Sequence, residues 1–369
     1  MNLRLLLLAG VCMLTTACRD QKNDTRKTTV NISSENHYDL PDSLSTRRIY
    51  FVLDLKQSVA ESSWSDFGKN ITEGTLVYFH GDRAEVFFPT PKVFKALENY
   101  EQYSDDYYVT TRADSIPYHM EVMISFDEED ASRFFYKNPV ELYSSVEEIG
   151  KYIPSVESTE MWATMVLHEM FHHYQYNNEN YREYAETEIG SLPFSIRDLV
   201  SLASEDEAFS AMIQQENDYL MQAISEDDIV VRDSLITTYL QQRQSRISEY
   251  SKEFPLLEKV ENYYVIQEGS ARYMEYKSMF ILSDYAGKET PPVIVNDSLF
   301  KSYAEFQEID LNDPAFSYLT YAAPSDYHYT IGFNIMRLLD ALKVEYKSEL
   351  LYHPEKGLHQ YLEDYMNTL

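Results

Sequence analysis

The stretch that most constrains this chain is His168-Glu169-Met170-Phe171-His172, an HExxH pattern inside a helix that the sequence predicts from Thr159 to Tyr176. Residues i and i+4 share one face of a helix, so both imidazoles can reach one metal ion. Glu169 is turned from His168 by about 100°. It can therefore reach a water beside the ion without being a ligand. Two ligands and a general base are the parts needed for zinc-assisted hydrolysis of an amide. The competing reading is a His-rich turn of a buried helix, and supporting residues elsewhere must decide.

A catalytic zinc site normally has three protein ligands and an open position. An HExxHxxGxxH pattern would need Gly at 175 and His at 178. The chain has Gln175 and Asn178, so the third ligand lies further on. His173 is excluded while the helix stays regular, because adjacent helical side chains diverge. The better candidate is Glu268, in Gln267-Glu268-Gly269-Ser270-Ala271, 96 residues after His172. Gly inside a helix costs about 1 kcal/mol relative to Ala, so Gly269 calls for a local use. Gly269, Ser270 and Ala271 would let two helices approach closely at the metal. Glu186 and Glu188 are the alternatives.

HExxH with a later Glu-Gly helix resembles the gluzincin zinc peptidases. The resemblance implies His168, His172 and Glu268 as ligands of one Zn²⁺ ion per chain, and Glu169 as the base. The 96-residue interval is longer than in many gluzincins, so the intervening helices would be an insertion packed on the site. A second match, Tyr329-Thr330-Ile331-Gly332-Phe333, resembles the Tyr-x-x-Gly helix of the alanyl-aminopeptidase family. That likeness implies that the Tyr329 hydroxyl steadies the oxyanion, and His328 is a second possible donor. The family's Gly-x-Met-Glu-Asn signature is absent. Met120-Glu121 repeats two letters of it, too little to transfer aminopeptidase specificity. By analogy of fold alone, the strand His119 to Phe126 would be an edge strand able to pair with an extended peptide.

The start of the chain bears on location. Arg4 precedes an apolar run, Leu5 to Leu14, followed by Thr15-Thr16-Ala17-Cys18. A positive start, a short apolar run and a small residue form a secretory signal, and the run is too short to span a bilayer. Leu14, Ala17 and Cys18 resemble the lipobox of bacterial lipoproteins, with Thr15 where that family more often has Leu. The likeness implies a signal peptide over 1–17, acylation of Cys18 and a bacterial cell-envelope location. A cleaved signal without a lipid is the alternative. The other cysteine, Cys12, lies within the signal, so the mature body has no disulfide. Residues 18–47 are polar and read as a tether.

The net charge of −30 repels phosphate backbones, which argues against nucleic acid as a partner. The expected partners are a peptide or protein substrate and a membrane reached through the lipid. Thirty-two tyrosines could suit sugars or peptides, but mixed core and boundary packing is the plainer explanation.

The remaining pattern predicts an α+β, zincin-like fold. Its α/β part spans 48–157, and a mostly helical part spans 158–369. Ile49 to Leu53 reads as a strand, Thr75 to His80 and Ala84 to Phe88 as a hairpin about Gly81-Asp82, and Lys92 to Tyr100 as a helix. Later helices are expected around Leu199 to Leu220, Ile236 to Ile247, Leu256 to Leu282 and Tyr329 to Val344, with a loop at Pro291-Pro292. A binding lipoprotein that keeps this fold without turnover is the alternative function.

Overall fold

The computed structural model describes residues 42–69, 74–97, 99–112, 114–126, 134–285, 294 and 296–369. The expected signal, Cys18, the expected tether up to residue 41 and the expected loop at Pro291-Pro292 lie outside these residues. The fold is α+β, with a small mixed sheet near the start and a helical body after it.

The chain enters through helix α1 (Leu44–Ser63), whose N-cap Ser43 accepts a hydrogen bond from the Thr46 amide. This corrects two expectations: Leu44 to Arg47 belong to a helix and not to the tether, and Ile49 to Leu53 are helical and not a strand. The cause is burial. All five residues of that run are 5% exposed or less, so the helix has no polar face there to print a 3.6-residue period on the sequence. A short apolar run buried on every side reads the same in a helix and in a central strand.

Among the described residues six strands follow: β1 (Thr75–His80), β2 (Arg83–Phe87), β3 (Glu101–Gln102), β4 (Tyr107–Thr111), β5 (Met120–Phe126) and β6 (Phe134–Ser144). Their order is β3-β4-β2-β1-β6-β5, with only β1 and β6 parallel. The β1–β2 hairpin is as expected, and Gly81 sits at its turn with φ +62°, a conformation that L side chains resist. The expected edge strand is β5, the last strand of the sheet on its side. Short helices α2 (Pro91–Ala96) and α3 (Val146–Ile149) flank the sheet. The expected helix at 92–100 is thus confined to its first half.

The HExxH helix, α4 (Thr159–Asn177), is capped by the Ser158 hydroxyl, which accepts from the Met161 amide. Trp162 on α4 donates its indole N–H to the Ser144 carbonyl at the end of β6 and meets Tyr78 edge-on, which docks the helix on the sheet. Then come α5 (Glu179–Tyr184), α6 (Ile196–Glu205), α7 (Glu207–Ser225), α8 (Ile229–Tyr250) and the long α9 (Leu257–Tyr285). The chain closes with α10 (Ser317–Thr320), α11 (Tyr327–Ala341), α12 (Lys347–Leu350) and α13 (Gly357–Met366). Helices α5 to α8 are the segment between HExxH and Glu268. They brace α9 through a buried ion cluster in which Arg246 of α8 joins Glu216 of α7 and Glu261 of α9.

Two glycines set how α9 meets α11. A Cβ on Gly269 would lie 2.4 Å from the Gly332 Cα, and one on Gly332 would lie 2.1 Å from the Val265 carbonyl oxygen. Neither position can hold a side chain without the helices parting. Gly269 follows Glu268 directly, and Gly332 lies one turn after Tyr329. The crossing therefore carries Tyr329 to the carboxylate.

Candidate metal centre

His168 and His172 project from one face of α4 toward α9, and both are buried. Glu268 meets them there. Its Oε2 atom lies 3.2 Å from His172 Nε2 and 3.7 Å from His168 Nε2. One ligand atom from each residue lies within 4.8 Å of the others, so the three can hold one metal ion. The sequence separation of 96 residues is closed by the packing of α9 on α4.

The surroundings fit an ion. Glu268 Oε2 is buried and accepts no hydrogen bond, although two ring nitrogens lie beside it. The hydrogen-bond pattern explains why. Gln175 donates its amide N–H groups to the Gln267 carbonyl and to the Ser270 hydroxyl, each at 2.8 Å. That turns the Gln175 oxygen toward His172 Nδ1, 2.8 Å away. The oxygen can only accept, so Nδ1 carries a proton and Nε2 is the ring nitrogen left to face Glu268. His168 Nδ1 likewise faces Glu275 Oε2 at 3.3 Å, and Tyr318 donates to the other Glu275 oxygen at 2.8 Å. Both imidazoles are thus held with their Nε2 atoms converging on a carboxylate oxygen, where a bound ion would take the place of the Nε2 protons, the arrangement by which outer groups orient metal-binding histidines.

Electrostatics agree. Burial alone would push His168 down, but Glu268 and Glu275 outweigh it and raise its pKa to about 10. Burial would push Glu268 up, yet His172 and His168 hold it well below the usual carboxylate range. The pocket favours positive charge at its centre. Glu169 behaves differently. Burial raises its pKa to about 7 against the pull of His172 and His168, and the charges of Glu268 and of Glu121 on β5 add to the rise. The edge strand therefore lies within electrostatic reach of the base.

Tyr329 is nearly parallel to the His168 ring, 18° apart in plane with centroids at 5.9 Å. Burial and then the Glu268 charge push its phenol well above the ordinary value, so it stays a donor at neutral pH. Its neighbour His328 is buried, with Nδ1 lacking a hydrogen-bond partner, and burial lowers its pKa to about 4. It is a neutral imidazole close enough to sense Glu268.

The other possible ligands lie elsewhere. Glu188 is exposed and pairs with Lys259 at 2.7 Å, and Glu186 is exposed on the same turn. His173 pairs with Glu141 of β6, away from the triad. Sequence reasoning missed Gln175 and Glu275. Both were findable by helical spacing: Gln175 is three residues after His172, and Glu275 is two turns after Glu268.

The chain matches no protein-family model, and comparison with curated proteins and with solved structures finds no match.

Proposed function

We propose that this protein is a zinc-dependent hydrolase of the gluzincin kind, a metallopeptidase with a zincin-like pairing of α4 and α9. The observation that carries the reading is the convergence of His168 Nε2, His172 Nε2 and Glu268 Oε2, with both Nδ1 atoms engaged by Glu275 and Gln175. Two imidazoles and one carboxylate suit zinc among divalent ions. Bound there, zinc supplies Lewis acidity, polarising a carbonyl and making water a better nucleophile at neutral pH.

The chain's own residues do the rest. Glu169 accepts the proton of the attacking water and returns it to the leaving amine, a role suited to a carboxylate whose pKa burial has moved toward neutrality. Tyr329 donates its phenolic hydrogen to the oxygen on which negative charge develops, with His328 beside it. Among the described residues β5 is the edge strand, and its outer side would offer backbone groups to an extended peptide. Attachment to a bacterial membrane through Cys18 belongs to the same proposal. Among the described residues no helix is long and apolar enough to cross a membrane.

The test is elemental analysis of the mature domain purified without added metal, beside Glu268→Ala and Glu169→Gln, followed by a quenched-fluorescence peptide library. The expected result is one zinc per wild-type chain, loss of zinc in Glu268→Ala, and retained zinc without turnover in Glu169→Gln. Zinc kept by Glu268→Ala would remove Glu268 from the ligand set. Zinc present with peptide bound but never cleaved would replace the peptidase reading with a binding one.

A further inference from the structure

We propose that Arg272 is a positioning residue that holds the Tyr329 phenol at the reacting centre, an inference that rests on the peptidase reading. Arg272 stands one helical turn after Glu268 on α9 and is only 7% exposed. Its guanidinium carbon lies 4.4 Å from the centre of the Tyr329 ring. The rest of the fork is anchored across the gap between α9 and α11. One terminal nitrogen donates to the Tyr318 carbonyl at 2.9 Å and to the Thr330 hydroxyl at 3.3 Å, and the other lies 3.9 Å from Asp326.

Burying a guanidinium is costly, and the Nε–H of Arg272 has no hydrogen-bond partner. Bridging to Tyr318 and Thr330 leaves that cost only partly met. The aromatic face supplies what the oxygens do not. Attraction between a cation and a ring face strengthens when both are out of water. The position of the cation also matters to chemistry, because it draws electron density from the phenol and strengthens the hydrogen bond that the phenol can donate.

A second link ties the same arginine to the metal side. Tyr318, whose carbonyl receives Arg272, donates its hydroxyl to Glu275, and Glu275 orients His168. The ring of Tyr329 in turn lies alongside His168. Arg272 thus closes a loop of contacts running from Tyr329 through His168, Glu275 and Tyr318. It keys the donor to the triad without touching a reacting atom.

The experiment is a double-mutant cycle of Arg272→Gln and Tyr329→Phe, read on the library peptide that the wild type cleaves fastest. Tyr329→Phe should lower kcat about 100-fold, as expected for one lost oxyanion donor. Arg272→Gln should lower kcat roughly 10-fold with KM and zinc content nearly unchanged, a loss that Arg272→Lys partly rescues because it restores the cation. The double variant should match Tyr329→Phe alone, since Arg272 acts through that ring. Multiplying effects, or an Arg272→Gln protein with wild-type kcat, would overturn the proposal. If Arg272→Gln fails to fold, Arg272→Lys decides by the same cycle. A crystal structure of Arg272→Gln gives a readout independent of turnover: the Tyr329 ring should leave His168, and a ring that stays in place overturns the proposal. Failure of the wild type to cleave any peptide would sink the peptidase reading but leave this structural readout standing.

Discussion

The α9–α11 crossing makes a sharp prediction for Gly332→Ala. An added methyl would lie 2.1 Å from the Val265 carbonyl oxygen and 2.7 Å from the Gly269 Cα, where ordinary contact begins at 3.4 Å. Both obstacles are backbone, so no side chain can swing aside. The helices must part by roughly 1.3 Å along that line, the difference between the two distances. Alanine gains about 1 kcal/mol of helix propensity over glycine, while overpacking of this kind costs about 1–3 kcal/mol or more. With backbone on both sides the cost falls at the upper end of that range, so the net is a loss of about 2 kcal/mol, which in a chain of 369 residues, at about 2.1 cal/mol/K of unfolding entropy per residue, lowers Tm by roughly 2–3 °C. α9 is held by α1 and α4, and α11 by α7, α10 and α13, so neither yields freely, and any parting of the two shifts Tyr329 on α11 against Glu268 on α9. A misplacement near 1 Å can cost about 100-fold in rate. The expected protein melts early, binds one zinc and turns over slowly. Circular dichroism melts and elemental analysis measure the first two. A Gly332→Ala protein with an unchanged or raised Tm would refute the close backbone approach and the role assigned to it.

Other outcomes test the site and its surroundings. Glu275→Gln or Gln175→Ala should weaken zinc affinity about 10- to 100-fold, measured by chelator competition, because each frees an imidazole to turn or change tautomer. Strong binding in both would mean that the outer hydrogen bonds do not organise the ligands. His359 is buried with Nε2 unpartnered, and burial, with Arg243 and then Arg246, holds its pKa well below 6.5. The unfolded chain takes up that proton near pH 6.5 and the folded chain does not, so the contribution is fully present above that pH and is lost as pH falls. The stability of the wild type should decline more steeply than that of His359→Phe below pH 6.5, by up to about 1.4 kcal/mol per pH unit, in denaturant titrations. Parallel slopes would contradict a neutral His359.

The parts of the site that were legible in the sequence are those fixed by one helix. His168, Glu169 and His172 needed only the 3.6-residue period. Glu268 became legible through its neighbour, since Gly269 in a helix demands a reason and close helix packing is a common one. The hairpin about Gly81 was legible on similar local grounds. What stayed hidden depends on contacts between elements. Nothing local marks Arg272 as a partner of Tyr329, or Tyr318 as a support for Glu275, because those pairs meet only when α9, α10 and α11 are in place.

The misreading of α1 has a related cause, and it explains part of the molecule's design. A helix surrounded by protein loses the polar stripe that identifies it. α1 is such a helix: it packs on both α4 and α9, the two helices that carry the candidate metal ligands. Its buried Arg48 binds Asp297 and Glu147 through paired hydrogen bonds, at 2.7–2.9 Å. Asp297 also accepts from Thr159 at the start of α4. One charged cluster therefore ties α1 and the segment after α9 to the first turn of the HExxH helix. The helix that carries His168 and His172 is thus held at its first turn by other parts of the chain. Such bracing fits a site that must keep three donor atoms within 4.8 Å whether or not an ion is bound.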